Sequence, residues 1–144
     1  MTPSAPGLRL DWRAVGAGAA VDLVLFLPLV VGVTILKHHD IATQESYVWI
    51  VAAMAIFVAP AVGGGVAGRR RPDTPLTHGA ASSGLASLAY VVVRVVDGAI
   101  RGQQPGAGLL VVFVIASVSM GMVGGYIGFR GAEATTGHPG AIDQ

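Results

Sequence analysis

The sequence contains no cysteine and few charged residues. Charged residues make up 12% of its 144 residues, whereas an average soluble domain has about 25%. Without cysteine the chain has no disulfide, thiolate zinc site, iron–sulfur cluster or cysteine nucleophile. The net charge is only +1, with no long basic block of the kind that binds nucleic acid. These absences exclude nucleic acid as a partner.

Apolar residues are abundant. They make up 53% of the chain, and the mean hydropathy is +0.67. Four stretches with few or no charges each reach the ~20 residues that cross a ~30 Å hydrocarbon core: residues 14–36, 47–68, 79–100 and 105–129. The sequence therefore predicts an all-α integral membrane protein with four transmembrane helices in a small Gly- and Ala-rich bundle.

The rest of the chain divides around this transmembrane domain, residues 14–130. We predict a cytoplasmic N-terminal segment over residues 1–13 and a disordered cytoplasmic tail over residues 131–144, which is polar and rich in glycine. A cleaved signal peptide is the alternative interpretation of the first span. The length of that span and the lack of an A-x-A site before Lys37 weigh against cleavage.

Basic residues are distributed unevenly between the two ends of the spans. If both termini are cytoplasmic, six arginines lie on that side and only Lys37 and Arg101 lie outside. The positive-inside rule favours this orientation, and we predict a multi-pass protein of the plasma membrane. The six are Arg9, Arg13, Arg69, Arg70, Arg71 and Arg130.

Small residues recur at four-residue spacing, which lets helix backbones approach closely in a membrane. Spans two and four both end in G-G-x-x-G before arginine. This similarity predicts two tandem helical hairpins that are related by an axis along the membrane normal. Alternatively, it is a chance similarity in a chain rich in glycine. Packing within the bundle and packing against a partner both remain open. The predicted packing residues are Gly64, Gly68, Gly121, Gly124, Gly125 and Gly128.

Asp22 lies inside the first predicted span. An ionisable group there costs roughly 2.5–3.5 kcal/mol on insertion scales. Counting from Ala14 at ~1.5 Å per residue places Asp22 about 12 Å from the inner boundary, in the cytoplasmic half. One interpretation is a proton or cation carrier or a substrate contact. The other, which this depth favours, is a carboxylic acid that burial keeps neutral and that is hydrogen-bonded to Ser or Thr, or else a first span that starts later than Ala14.

Two groups of charged residues flank the third span. Arg94, Asp97 and Arg101 are spaced three and four apart, so one carboxylate can pair with two guanidinium groups on the same helix face. They form a candidate outer-leaflet ion-pair or lipid-headgroup site. The arginine triplet, residues 69–71, is a topology determinant and a candidate inner-leaflet contact for anionic lipid, at about 1 kcal/mol per charge.

Histidines and prolines give weaker signals. The histidines lie in loops, at span ends or in the tail, which argues against a bis-histidine haem inside the bilayer, and no regular ligand spacing completes a metal site. We therefore predict no cofactor and no metal. Pro28 and Pro60 each remove a backbone hydrogen bond near the middle of a span and should bend it. The histidines are His38, His39, His78 and His138.

The sequence G-G-G-V-A-G-R-R-R at residues 63–71, followed by P-L-T-H-G at residues 75–79, resembles the small YrzE-like four-helix membrane proteins of Gram-positive bacteria. The resemblance implies a four-span topology and carries over no activity and no catalytic residue. We interpret the chain as a non-enzymatic accessory or structural subunit that packs with other membrane proteins or with itself through glycine-rich helix faces.

Two alternative functions remain. The first is an oligomeric transporter or channel for a small solute or ion that uses Asp22. The second is a membrane enzyme acting on lipid, which is least favoured because no paired carboxylates, metal-ligand set or Ser–His combination shares a membrane depth.

Overall fold

The computed structural model describes residues 10–39, 47–103 and 106–136, and this part of the chain forms four α-helices. They are α1 (Trp12–His38), α2 (Val48–Arg70), α3 (Pro75–Ile100) and α4 (Ala107–Thr136), so the predicted all-α fold is confirmed. Three helices are long and apolar enough to cross a membrane, over Trp12–Leu36, Pro75–Ile100 and Ala107–Ala134. α2 is not among these three.

The helix ends differ from the predicted span ends. α3 begins at Pro75, before the expected start at Gly79, because proline in the first turn loses only an N–H that has no helical partner there. α4 continues to Thr136, so the predicted disorder is wrong for residues 131–136. Their alanines and Glu133 are good helix formers, which explains the extension. Residues 137–144 and Pro105, which was expected in the first turn of span four, lie outside the described residues.

α2 and α3 form the centre of the bundle, and α1 and α4 lie on opposite sides of it. Each central helix contacts the other three, whereas within the described residues α1 and α4 make no close backbone contact. A two-fold axis relating the α1–α2 hairpin to the α3–α4 hairpin would make the α1–α4 contact equivalent to the α2–α3 contact. Only the second is present, so the two hairpins are not related by such an axis.

The bundle has small and polar side chains inside and large apolar side chains outside. Leu109 and Ile100 are 77% and 80% exposed, and large apolar residues are exposed on every helix. Between helices in lipid there is no hydrophobic driving force, so close packing of small residues and polar contacts holds such bundles together. This distribution is compatible with a hydrocarbon surrounding. The buried residues include Ala14, Ala19, Ala59, Ala67, Ala86, Ser82, Ser83, Ser87, Ser117, Asp22 and His78.

Candidate functional site

Glycines bring α2 and α4 into backbone contact. A Cβ built on Gly64 would overlap the Gly121 carbonyl, and one built on Gly68 would overlap the Gly125 carbonyl one turn further on. Residue numbers increase in the same direction along both helices, so α2 and α4 are parallel. The G-G-x-x-G segments of spans two and four thus face each other.

The remaining predicted packing glycines also make contacts within the chain. Gly124 lies against Ala61 and Gly128 against Gly65, while Gly121 and Gly125 additionally contact Gly79 of α3. The sequence left open whether these glycines pack inside the bundle or against a partner. In the structure all six lie in helix–helix contacts inside the chain.

Asp22 of α1 is buried at the centre of the bundle, with 4% of its surface exposed. It lies against α2 at Gly63, where an added Cβ would be only 2.8 Å from the Asp22 Cβ. The Ser83 side chain of α3 lies near the Asp22 carboxyl group. The Ser83 hydroxyl donates to the Pro60 carbonyl at 3.1 Å. Asp22 therefore connects α1 to both central helices.

A cavity with room for about one water molecule lies beside Asp22. Its volume, counted as the space open to the centre of a water molecule, is about 10 Å³, which is near the minimum that holds one water. All four helices contribute to its wall. Its polar side chains are Asp22, Ser87 and Ser117, and the rest of the wall is apolar.

The polar groups of this cavity are incompletely hydrogen-bonded. Ser117 is 1% exposed, and its hydroxyl is the one fully buried side-chain polar atom of the described residues that has no hydrogen-bond partner. Ser87 donates to the Gly84 carbonyl at 3.0 Å, which leaves its oxygen able to accept or coordinate. Pro60 has no N–H, so the carbonyl of Ile56, a residue that also lines the cavity, lacks its usual helical donor. α2 nevertheless continues through Pro60.

Three aromatic rings pack together on one side of the cavity. The Phe26 ring lies 5.2 Å from Tyr90 and 5.8 Å from Phe113, and Tyr90 lies 4.9 Å from Phe113, between ring centroids. Phe26 and Phe113 also line the cavity. This cluster joins α1, α3 and α4 beside the cavity.

A second polar cluster joins the starts of α1 and α3, and sequence reasoning missed it. The Asp11 Oδ1 atom accepts hydrogen bonds from the backbone N–H groups of Arg13 and Ala14 at 2.9 and 3.4 Å, which caps α1. Its Oδ2 atom lies 2.8 Å from Arg71 Nε and 2.7 Å from Arg71 Nη2. The Arg71 guanidinium, with the capping N–H groups, holds the pKa of Asp11 below its ordinary value.

His78 completes this cluster from α3. The Asp11 backbone N–H donates to His78 Nε2 at 3.0 Å, so Nε2 carries no proton. The proton of the neutral ring is then on Nδ1, which lies 3.0 Å from the Thr74 carbonyl oxygen. An aspartate just before an apolar run is an N-cap signal in the sequence. No local signal could reveal the pairing of His78 with Asp11, because 67 positions separate them.

The structure brings Arg94, Asp97 and Arg101 together at the end of α3. Asp97 Oδ1 is 2.7 Å from Arg101 Nε, and Asp97 Oδ2 is 3.9 Å from Arg94 Nη1. All three side chains are at least 39% exposed. Exposed pairs of this kind contribute about 0–1 kcal/mol. The arrangement leaves Arg94 accessible to a second anion, such as a lipid headgroup.

The arginine triplet does not form a single site. Arg71 pairs with Asp11, and Arg69 lies beside Gly131 of α4, where its Nη2 would be 3.3 Å from an added Cβ. Arg70 is exposed. Binding of anionic lipid by all three residues, Arg69, Arg70 and Arg71, stays a prediction.

The described residues hold no group of three or more His, Asp or Glu side chains that could bind a metal. The His38 side chain and His138 lie outside what the structure describes. No family model, curated protein or solved structure matches the chain. The resemblance to YrzE-like proteins stays a prediction.

Proposed function

We propose that the protein crosses the plasma membrane four times, with both termini in the cytoplasm, and acts as a non-enzymatic accessory subunit for other membrane proteins. The proposal that α2 is the fourth span is supported by its position. α2 lies antiparallel to α1 and between helices that are long enough to cross, and it carries no charge from Val48 to Gly68. Because α1 and α3 begin at the same end of the bundle, where Asp11 and His78 are hydrogen-bonded, a chain that crosses through both in the same direction returns through α2.

The accessory role is supported by a groove of about 430 Å³ on the outside of the α2–α4 seam. Its floor contains Gly65, Gly124 and Gly128, and its walls are apolar except for Arg69 at the arginine-rich end. Because a floor of small residues lets another backbone approach closely, the groove suits one apolar helix of a partner or of a second copy. The glycines that hold the bundle together thus also shape an outward surface.

Site-specific photocrosslinking in the native membrane tests this role. We expect a photoreactive phenylalanine analogue at Val62, which lines the groove and is 43% exposed, to form a discrete adduct. The same analogue at Val93, which is 63% exposed on α3 outside the groove, is the matched control. An adduct with another membrane protein supports the accessory role, and an adduct between two copies supports self-association. Equal, diffuse labelling at both positions refutes both.

A second candidate function is an oligomeric transporter or channel for a small solute or ion. The observation that favours it is the position of Asp22 beside a cavity with an unpartnered hydroxyl, Ser117. Intramembrane carboxyl groups at such places commonly mark ion or proton pathways. If wild-type protein in proteoliposomes shows flux that is lost in Asp22→Asn, the transporter proposal is supported. If the flux does not exceed that of empty liposomes, the proposal is refuted.

A further inference from the structure

We propose that the cavity beside Asp22 is a binding site for a single Na⁺ ion. Residues of three helices that line the cavity carry candidate oxygen ligands: the Asp22 carboxylate of α1, the Ile56 carbonyl of α2 and the Ser117 hydroxyl of α4. Ser87 of α3 adds a fourth oxygen. Carboxylate, hydroxyl and carbonyl oxygens are the ligands of hard cations.

Ser117 carries the argument that the site is built for a ligand. A buried polar atom without a partner loses its hydration and gains no hydrogen bond in return. Ser117 is 1% exposed, yet it lines the cavity and its hydroxyl has no hydrogen-bond partner. Its neighbour Ser119 donates to the Ile115 carbonyl of its own helix at 2.8 Å, so the free hydroxyl of Ser117 is not a general property of serines on α4.

Pro60 supplies the second independent ligand. The missing N–H of proline leaves the Ile56 carbonyl without its helical donor, and both residues line the cavity. Carbonyls released in this way at helix interruptions coordinate Na⁺ in membrane transporters. Pro60 therefore has a chemical consequence here although α2 continues through it.

Charge balance selects a monovalent cation. Asp22 is the only charged or titratable side chain in the cavity wall, which α2, α3 and α4 line with apolar residues and serines. Tyr90 of α3 reaches this wall only through its ring contacts with Phe26 and Phe113. One carboxylate in a low-dielectric interior is balanced by one positive charge. A space of about 10 Å³ open to the centre of a water molecule admits one dehydrated ion such as Na⁺ and no hydration shell.

When no Na⁺ is bound, a proton on Asp22 provides the same balance. Na⁺ and H⁺ then compete for one carboxylate, and Na⁺ affinity falls as the pH is lowered. This inference rests on the site of the second proposed function but not on transport. If the site binds Na⁺ but the protein shows no flux, the Na⁺-site proposal is kept and the transporter proposal is refuted.

Equilibrium binding of radioactive Na⁺ to the purified, detergent-solubilised full chain tests the proposal. We expect saturable binding near one Na⁺ per chain and loss of binding in Asp22→Asn. Ser117→Ala should weaken binding about tenfold or more, because it removes a ligand from the ion. The matched control Ser119→Ala should bind as the wild type does.

Thermal unfolding provides a second readout that does not depend on the variants folding. Wild-type protein should gain stability when Na⁺ replaces choline at constant ionic strength, because a ligand that binds only the folded state stabilises it. The gain should shrink as the pH is lowered. Absence of saturable Na⁺ binding in the wild type, or equal affinities of Ser117→Ala and Ser119→Ala, overturns the proposal and assigns the cavity to a water molecule.

Discussion

Asp11 and Asp22, near the start of α1, have opposite surroundings and therefore different consequences. Asp11 lies at the helix end, where it caps α1 and pairs with Arg71. Asp22 lies inside the bundle and has no basic residue in the wall of its cavity. A carboxylate with a cation beside it stays ionised, whereas one without a cation must find a proton or an ion. The contrast separates a structural aspartate from the candidate functional one.

Acid should weaken the attachment of α1 to the α2–α3 turn through Asp11. Because the folded-state pKa of Asp11 lies below its ordinary value of about 3.9, the pair contributes stability above that value, and this contribution is lost as the pH falls through the folded-state pKa. Asp11→Asn keeps a good N-cap but removes the charge. We expect the variant to be less stable than wild type at neutral pH.

Thermal unfolding in detergent from neutral pH down to about pH 2.5 checks this expectation. The wild type should lose more stability than Asp11→Asn over the acid range, so that the two curves converge at low pH. Parallel curves would show that the charge of Asp11 contributes nothing to folding.

At the scale of elements, the fold depends on glycines that meet across parallel helices. α4 contacts α2 and α3 through the same row of glycines, so one helix face serves two neighbours. The close approach depends on the lack of a Cβ, and a methyl group at the seam would push the backbones apart. Gly16 of α1, in contrast, has no atom within 4 Å of the position of an added Cβ.

Alanine substitutions should therefore have opposite effects at the seam and outside it. Gly64→Ala or Gly124→Ala should destabilise the bundle by about 1–3 kcal/mol, because the new methyl group overlaps a carbonyl on the facing helix. Gly16→Ala should be neutral or stabilising by up to about 1 kcal/mol, because alanine is the better helix former. Unfolding by SDS followed by circular dichroism measures both. Equal effects at the three positions would show that α2 and α4 do not pack through this seam.

At the scale of the whole molecule, the charges separate the two ends of the bundle. One end holds the Asp11–Arg71–His78 cluster and the other arginines of the triplet, and the other end holds the Arg94–Asp97–Arg101 group. The first end carries more arginine, which favours placing it in the cytoplasm. The proposed topology rests on this asymmetry and on the proposed four crossings.

The lack of cysteine makes the proposed topology testable by single-cysteine labelling of intact cells. We expect Gln103→Cys, after α3, to react with a membrane-impermeant maleimide. Asp73→Cys, in the α2–α3 turn, should react only after the membrane is permeabilised. Both residues are exposed, so burial in the protein does not explain a difference. The reverse labelling pattern would mean that the orientation is opposite to the proposed one. Labelling of both cysteines from outside would mean that α3 does not cross the membrane.

Local properties of the sequence were sufficient for the fold class. Long apolar stretches, their length in a helix and the spacing of Arg94, Asp97 and Arg101 depend only on residues close in the chain. The all-α fold and the approximate course of the helices therefore follow from the sequence alone. The end of α4 did not follow from the sequence. The glycines of the predicted tail indicated disorder, although good helix formers follow Arg130.

The candidate site required the tertiary structure. Ser117 is an ordinary serine in the sequence, and only the packing of four helices reveals that its hydroxyl is buried, unpartnered and in the same cavity as Asp22. The same holds for His78, whose partner Asp11 is on another helix. The sequence determined which segments become helices, because hydrophobic length and helix propensity are local. Helix packing alone decided which glycines, serines and charges meet, because those contacts join residues far apart in the chain.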